Sequence, residues 1–151
     1  MENQLEIKVA LQIQKPIQEV FEAIVDPEKM KNYFVSESNG RMEEGAALVW
    51  KFPEFEGEVP VKVENINENK YISYYWDTDY SMLVEIYLDP IENHSTLVSI
   101  TENGKPNDDA GILWLQGNTE GWANFLACLK AYLEYGINLR KGAFEFRKGE
   151  M

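Results

Sequence analysis

The residues of this sequence best suited to bind a ligand are large aromatic side chains. They lie at alternate positions within two apolar segments and recur at helical spacing from Trp122 onward. Aromatic walls with few polar groups are typical of small-molecule pockets, but the same side chains also fill protein cores. The sequence leaves both interpretations open. The aromatic candidates are Trp50, Phe52, Tyr74, Trp76, Trp122 and Phe125.

One carboxylate interrupts the apolar segment Tyr80–Leu88 and is the main candidate for acid–base chemistry. Glu85 shares strand parity with Leu83, and the opposite parity carries apolar side chains. If the Glu85 face lines a cavity, the carboxyl group could act as a general acid or base, or anchor a polar ligand group. If that face is solvated, Glu85 is an ordinary surface residue. Leu83 and Glu85 complete the predicted ligand-binding set, in which Tyr74 and Glu85 orient a polar group.

The sequence offers little for metal, cofactor or nucleophilic chemistry. His94 is the only histidine and follows Glu92-Asn93 in a predicted turn, where a base lacks an orienting partner. Cys128 is the only cysteine and lies among leucines, so we expect it to be buried and inert. Acidic residues recur without the spacing of a calcium loop, and no nucleophile elbow or phosphate-binding glycine loop occurs. We therefore expect no cofactor, no metal site and no catalytic residue unless Glu85 serves as one.

The composition narrows the classes of partner. The 151 residues carry 14 basic and 26 acidic side chains, a formal net charge of −12. Nucleic acids and anionic membranes are bound by basic surfaces, so this charge argues against both. No apolar run approaches the roughly 18 residues of a membrane-spanning helix, and the start lacks the pattern of a signal peptide. We expect a single domain over residues 1–151, located in the cytoplasm.

Hydrophobic periodicity predicts an α+β protein. Residues Leu5–Ile13 alternate as in a half-buried strand, and helical spacing follows from Pro16, with Asp26 capping a second short helix. Short breaks separate the later strands, so neighbouring strands should pair antiparallel. A loop at 103–107 precedes a long closing helix, capped by Asp108 or Asp109, and a loosely ordered polar tail. The predicted later strands are Ala46–Phe52, Gly57–Asn65, Lys70–Trp76, Tyr80–Leu88 and Ser95–Glu102.

This order of elements resembles the helix-grip fold of the START and birch-pollen-allergen (SRPBCC) superfamily. It is most similar to the branch related to the C-terminal domain of the heat-shock-protein-90 ATPase activator, the AHSA type. The resemblance implies a curved antiparallel sheet wrapped around a long C-terminal helix, with two short helices after the first strand. The segments that carry it are Lys15–Ile24, Asp26–Met30 with Tyr33-Phe34, Thr96–Glu102, and Gly121-Trp122 with Leu126, Leu129 and Leu133.

Three functions remain open at this point. The first is non-catalytic binding of a small hydrophobic molecule in an aromatic-lined space between sheet and helix. The second, which the resemblance implies, is a co-chaperone-like interaction with a chaperone or another protein in the stress response. The third is a cyclase- or dehydratase-type enzyme that uses Glu85. Dimerisation through an exposed edge strand is also left open.

Overall fold

The computed structural model describes residues 4–76 and 80–147, which form seven strands and three α-helices. The predicted break Asp77-Thr78-Asp79 lies outside the described residues. The helices are α1 (Ile17–Val25), α2 (Pro27–Met30) and α3 (Asp109–Tyr135), and Glu145–Arg147 form a 3-10 turn. The strands are β1 (Gln4–Ile13), β2 (Glu37–Ser38), β3 (Ala47–Lys51), β4 (Val59–Asn67), β5 (Tyr71–Trp76), β6 (Met82–Ile91) and β7 (Ser95–Pro106).

The strands form one antiparallel sheet in the order β1-β7-β6-β5-β4-β3-β2. Strands β2 to β7 follow one another as a meander, as expected when short connections join neighbours. Strand β1 completes the sheet by pairing with β7, from Gln4 opposite Pro106 to Ile13 opposite Thr96. The sheet is curved around α3, and α1 and α2 follow the first strand. These features confirm the predicted α+β helix-grip class.

One face of the sheet forms the core together with the helices. Along β6, Met82, Val84 and Ile86 are buried, whereas the intervening side chains keep some exposure. This alternation follows from the strand period of two, because successive side chains point to opposite faces. The buried set of alternate side chains is therefore the set that can face a space between the sheet and α3. None of the helices in residues 4–76 and 80–147 is long and apolar enough to cross a membrane.

The predicted loop at 103–107 is wrong, because β7 continues to Pro106. Asn103 pairs with both Leu83 and Glu6, so the strand has neighbours on both sides at this point. A register shift between Leu5 and Glu6 of β1 accommodates Gly104, whose φ of 137° is one that residues with a side chain rarely adopt. A Cβ atom there would lie 2.6 Å from the carbonyl oxygen of Ser81. A glycine that reads as a loop signal is therefore a bulge inside a long strand.

Helix α3 begins where the sequence predicts. The Asp108 side chain caps it by accepting a 2.7 Å hydrogen bond from the Gly111 amide. Gly111 packs so closely that a Cβ atom would lie 2.0 Å from the carbonyl oxygen of Pro106. The helix ends at Gly136, which adopts the left-handed conformation with φ of 66°.

The C-terminal half of α3 is attached to the end of β1. The Glu134 carboxylate accepts hydrogen bonds from the Gln14 amide at 2.8 Å and from Lys130 Nζ at 2.6 Å. Burial opposes the ionisation of Glu134, but these two donors outweigh it and hold its pKa below the ordinary value. Lys130 also donates to the Gln12 carbonyl at 2.8 Å. These contacts hold the helix in place over the sheet.

Candidate functional site

A cavity of about 430 Å³ lies between the sheet and α3. It is lined by the segment after α2, the loop between β3 and β4, the first residues of β4 and β6, the end of β5, Glu102 of β7, one face of α3 and the residues after α3. Small-molecule pockets in proteins usually measure roughly 300–1,000 Å³, so the cavity has the size of a ligand site. Aromatic side chains that line it include Phe34, Phe52, Phe55, Trp76, Trp122 and Phe144.

The aromatic rings of the cavity wall contact one another mainly edge to face. The ring of Phe34 lies at their centre, with centroid distances of 5.2 Å to Phe52 and 4.8 Å to Phe125. Trp122 lies 5.6 Å from Trp76 across the space between α3 and β5. Edge-to-face pairs contribute about 0.5–1.5 kcal/mol each beyond the burial of their area. The rings therefore hold one another in position while leaving the cavity beside them.

Six of the eight predicted ligand-binding residues lie on the cavity side of the sheet. Three of them line the cavity directly: Phe52, Trp76 and Trp122. The other three, Trp50, Tyr74 and Phe125, are buried and contact the lining rings. Trp50, for example, packs edge-on against Phe34 at 5.5 Å and against Trp76 at 6.2 Å. The two interpretations of the aromatic set thus apply to different members, since some fill the core and others face a space.

Leu83 and Glu85, unlike the other six predicted ligand-binding residues, do not lie on the cavity side of the sheet. Both belong to the parity of β6 opposite to Met82 and Val84, so they lie on the outer face of the sheet. There the Glu85 carboxylate accepts hydrogen bonds from the hydroxyl groups of Tyr71, at 2.5 Å, and Tyr87, at 3.1 Å. Burial and the Glu85 hydrogen bond raise the pKa of Tyr71 to about 12. Glu85 is therefore engaged in a tyrosine cluster on the outer face.

The carboxylate that does reach the cavity is Glu102, on β7. It lines the cavity wall, and its side chain is fully buried, with 0% exposure. Its two oxygens accept N–H hydrogen bonds from the indoles of Trp76 and Trp122, each at 2.7 Å, and from the Asn118 amide at 3.2 Å. Three neutral donors thus hold one carboxylate and, in return, fix the orientation of two cavity-lining indoles.

Glu102 is the functional candidate that sequence reasoning missed, although β7 carries a signal for it. Val98, Ile100 and Glu102 share one strand parity, and the first two are fully buried. A carboxylate that continues an apolar parity is directed toward the core, where it needs hydrogen-bond donors. The side chains of tryptophan and asparagine supply such donors. The sequence signal for this site is therefore a carboxylate in an otherwise apolar strand parity.

A second carboxylate lines the cavity where the segment after α3 packs against it. Glu54, in the loop after β3, accepts two hydrogen bonds from Arg140, 2.6 Å from Nη2 and 3.2 Å from Nε. The two side chains are only 5% and 15% exposed, which makes this a largely buried bidentate ion pair. We call the end of the cavity lined by Glu54, Arg140, Phe144 and Arg147 the cavity mouth.

The residues after α3 pack against the cavity mouth, which corrects the prediction of a loosely ordered tail as far as residue 147. The Arg140 guanidinium lies over the rings of Phe52, at 5.7 Å, and Phe144, at 4.8 Å. Arg147 lies over Phe144 at 5.3 Å and donates to Glu120 of α3 at 2.9 Å. Such cation–π contacts require the aromatic ring and the cation to be placed together. The tail therefore contributes walls of the cavity.

Two glycines keep the α3 side of the cavity open. Gly117 and Gly121 both line it, and a Cβ atom built on either would meet nothing within 4 Å. Glycine in a helix interior costs about 1 kcal/mol relative to alanine, so two such positions weaken α3. Gly111 packs closely against its neighbours, but these two glycines do not. Their effect is to leave room between Trp114, Trp122 and the sheet.

The remaining candidates for chemistry lie away from the cavity wall. His94 is exposed in the turn between β6 and β7, with φ of 56°. Cys128 is buried in α3, and burial raises the pKa of its thiol, which disfavours the reactive thiolate. Within residues 4–76 and 80–147, no group of three His, Cys, Asp or Glu side chains is placed to hold a metal ion.

Comparison with known proteins places this architecture in a family. A family model described as activator of Hsp90 ATPase homolog 1-like protein matches residues 14–134. The crystal structure of protein SSP2350 from Staphylococcus saprophyticus has 33% sequence identity and a TM-score of 0.79, covering 90% of this chain and 96% of that chain. No curated protein sequence matches the chain.

Two solution structures extend the comparison. Protein BH1534 from Bacillus halodurans has 26% identity and a TM-score of 0.71, with 83% of this chain and 94% of that chain covered. The Aha1 dimer from Colwellia psychrerythraea has 20% identity and a TM-score of 0.76, with 87% and 98% covered. At that identity the second likeness concerns the fold alone. The family model covers most of the described residues, and the chain belongs to the family of activator of Hsp90 ATPase homolog 1-like proteins.

Proposed function

We propose that this protein binds a small hydrophobic molecule in the cavity between the sheet and α3. The observation that carries the proposal is the pair Gly117 and Gly121, which line an apolar cavity without filling it. Each glycine weakens the helix by about 1 kcal/mol relative to alanine, although a Cβ atom would fit at both positions. Stability alone does not favour these glycines beside a space of about 430 Å³, and ligand binding gives a reason for them.

The cavity wall suits a ligand with an aromatic or aliphatic body. Phe52, Trp76 and Trp122 offer large apolar surfaces, and removing such surface from water is favourable by about 25 cal/mol per Å². The indole N–H groups of Trp76 and Trp122 are already used by Glu102. They therefore present ring surface rather than donors to the ligand. Affinity would come mainly from contact area with rings that are fixed before the ligand arrives.

Filling the cavity from the helix side tests the proposal. Gly117→Leu places a side chain in the space and, by helix propensity, stabilises α3 by several tenths of a kcal/mol. Fluorescence titration with the neutral dye N-phenyl-1-naphthylamine should show binding to the native chain and at least about tenfold weaker binding to the variant. Gly117→Ala is the matched control, because it makes the same backbone change with little volume and should lose far less affinity.

Two outcomes would contradict the proposal. The native chain could bind neither the dye nor any member of a panel of lipids and aromatic compounds in native mass spectrometry. Alternatively, Gly117→Leu could bind the dye as tightly as the native chain, which would locate the bound dye elsewhere. Thermal unfolding of both variants separates these results from a loss of fold, since both substitutions should leave the unfolding temperature unchanged or raise it.

A second candidate function is a co-chaperone-like interaction, which family membership supports. The formal net charge of −12 suits a partner with a basic surface, and the contact would weaken as salt screens it. Gly117→Leu also separates the two candidates, because filling the cavity should not alter a contact made elsewhere on the surface. An unchanged ATPase rate of a heat-shock-protein-90 chaperone in the presence of this chain would remove the activating version. Dimerisation and a cytoplasmic location remain predictions.

A further inference from the structure

The arginines of this chain are unevenly distributed. The sequence holds three, and two of them, Arg140 and Arg147, line the cavity. Both follow α3 and lie beyond residues 14–134, where the family model matches. In a chain with a formal net charge of −12, two guanidinium groups in the lining of one apolar cavity are a local exception.

The two arginines are placed against the same ring. Phe144 has the Arg140 guanidinium at 4.8 Å from its centroid and the Arg147 guanidinium at 5.3 Å. Arg140 is further fixed by Glu54, and Arg147 by Glu120. Each guanidinium is thus oriented by a carboxylate and by an aromatic face. Fixed donors lose less freedom when they bind an oxyanion than mobile ones do, which favours binding.

Both arginines retain hydrogen-bonding capacity at the cavity mouth. A guanidinium carries five N–H donors. Arg140 uses Nε and one N–H of Nη2 for Glu54, and Arg147 uses Nη2 for Glu120. Among the described residues, neither Nη1 group donates a hydrogen bond. The structure therefore offers N–H donors of two lining side chains beside an apolar wall.

A carboxylate without a cationic partner in the described part of the chain lies further along the wall. From Arg140, ring contacts run through Phe52 and Phe34 to Trp122, whose indole donates to Glu102. Among the described residues, no lysine or arginine forms an ion pair with Glu102. An anionic group would be repelled by this carboxylate, whereas the carboxylates beside the arginines, Glu54 and Glu120, are each paired with a guanidinium. The arrangement gives the cavity a direction, with the apolar body inside and the charged group at the mouth.

We infer that the ligand is an apolar or aromatic molecule with one oxyanion group, such as a carboxylate or sulfonate, which Arg140 and Arg147 bind at the cavity mouth. This inference rests on the proposed function and specifies its ligand class. The oxyanion accepts charge-assisted hydrogen bonds from the guanidinium N–H groups, which are stronger than neutral ones. The rings of Phe52, Trp76 and Trp122 contact the rest of the molecule.

A matched pair of dyes tests the inference. 1-Anilinonaphthalene-8-sulfonate and N-phenyl-1-naphthylamine share one aromatic skeleton, but only the first carries a sulfonate. The native chain should bind the sulfonate at least about tenfold more tightly. Arg147→Gln should reduce that preference by about fivefold or more, whereas Lys141→Gln, which removes the same charge from the same tail away from the cavity lining, should leave it unchanged. Glu120 is mostly exposed, so Arg147→Gln leaves no buried charge unpaired.

The outcomes separate the inference from the proposed function. If the native chain binds neither dye, the proposed function fails. If it binds the neutral dye with equal or greater affinity, or if Lys141→Gln lowers the preference as much as Arg147→Gln, the inference alone is overturned. An arylalkanoic acid and its amide, used as competitors of the neutral dye, repeat the comparison with a carboxylate. The acid should displace the dye at lower concentration than the amide, and the reverse order would also overturn the inference.

Discussion

Glu102 and Glu54 are two carboxylates of one cavity whose buried oxygens are satisfied in different ways. Glu102 is held by three neutral N–H groups, from two indoles and an amide, and has no exposed surface. Glu54 is held by the guanidinium of Arg140, which also contacts Phe52. The donors of Glu102 come from β5 and α3, which form the body of the fold. The donor of Glu54 comes from the segment after α3.

This difference divides the cavity wall into a part held by the body of the fold and a part that can open locally. We call them the fixed part and the releasable part. To expose Glu102, the indoles of Trp76 and Trp122 would have to leave the core, since both are packed against other rings. To expose Glu54, only the segment that carries Arg140 has to move. Local opening needs less free energy where few buried contacts are lost. Ligand entry is therefore expected at the mouth, while Glu102 keeps the inner wall unchanged.

The largest expected effect is on stability when Glu102 is removed. Glu102→Leu leaves the indole N–H groups of Trp76 and Trp122 and the Asn118 amide without their acceptor. An unsatisfied buried donor costs about 1–3 kcal/mol, so we expect the free energy of unfolding to fall by about 3 kcal/mol or more. Urea denaturation followed by tryptophan fluorescence and by circular dichroism measures the change.

A double-mutant cycle separates the lost hydrogen bonds from altered packing. Trp122→Phe removes one donor, so Glu102→Leu should cost less in the Trp122→Phe background than in the native chain. The coupling should be about 1 kcal/mol or more. Strictly additive losses would show that Glu102 does not act through the indole, and the contrast with Glu54 would disappear.

A smaller and more local effect is expected at the cavity mouth. Arg140→Gln leaves the Glu54 carboxylate without its cation, a change that costs 3–5 kcal/mol when the charge stays buried. Here the segment after α3 can open and let water reach Glu54, so we expect a loss of about 1–2 kcal/mol. Hydrogen exchange should increase in residues 137–147, while amides of β5 and β7 keep their protection.

The matched controls for this prediction lie in the same region. Lys141→Gln removes an exposed charge and should change stability by less than about 0.5 kcal/mol. In the double variant Glu54→Gln/Arg140→Gln no charge is left buried, so part of the loss should be recovered. If exchange instead rises throughout the sheet in Arg140→Gln, the pair belongs to the core, and the cavity has no releasable part.

The fold was accessible from the sequence because it depends on periodicity. The alternation in Leu5–Ile13 and the caps Asp26 and Asp108 are local signals, and the structure follows them. The failure at Gly104 has a physical cause. Glycine signals a turn from local preference, but here a neighbouring strand on each side stabilises a bulge. Tertiary pairing outweighed the local preference.

The site was less accessible because it depends on distances between segments far apart in sequence. Trp76 and Trp122 were identified as candidates by type and parity, yet Glu102, which joins them, was not. The contribution of Arg140 required knowing that the chain turns back after Gly136 over the loop that carries Glu54. The alternation along a strand places Glu85 on one of the two faces of the sheet, but it does not say which face is buried. The structure shows that the buried face of β6 is the opposite one.

The smallest expected effect concerns Glu85, a carboxylate on the outer face that extends the comparison beyond the cavity. Glu85→Gln should leave dye binding unchanged and alter stability by less than about 0.5 kcal/mol. The effect of Glu85→Gln should instead appear in the titration of the tyrosines that contact Glu85. Burial and the Glu85 hydrogen bond raise the pKa of Tyr71 to about 12, because ionising the phenol would place a second negative charge beside the carboxylate. Removing that charge should lower the pKa of Tyr71 only in part, since burial remains. Alkaline absorbance titration measures the shift. If Glu85→Gln instead abolished dye binding without affecting stability, the cavity would lie on the other face of the sheet, and the assignment of Glu102 and Glu54 to it would be wrong.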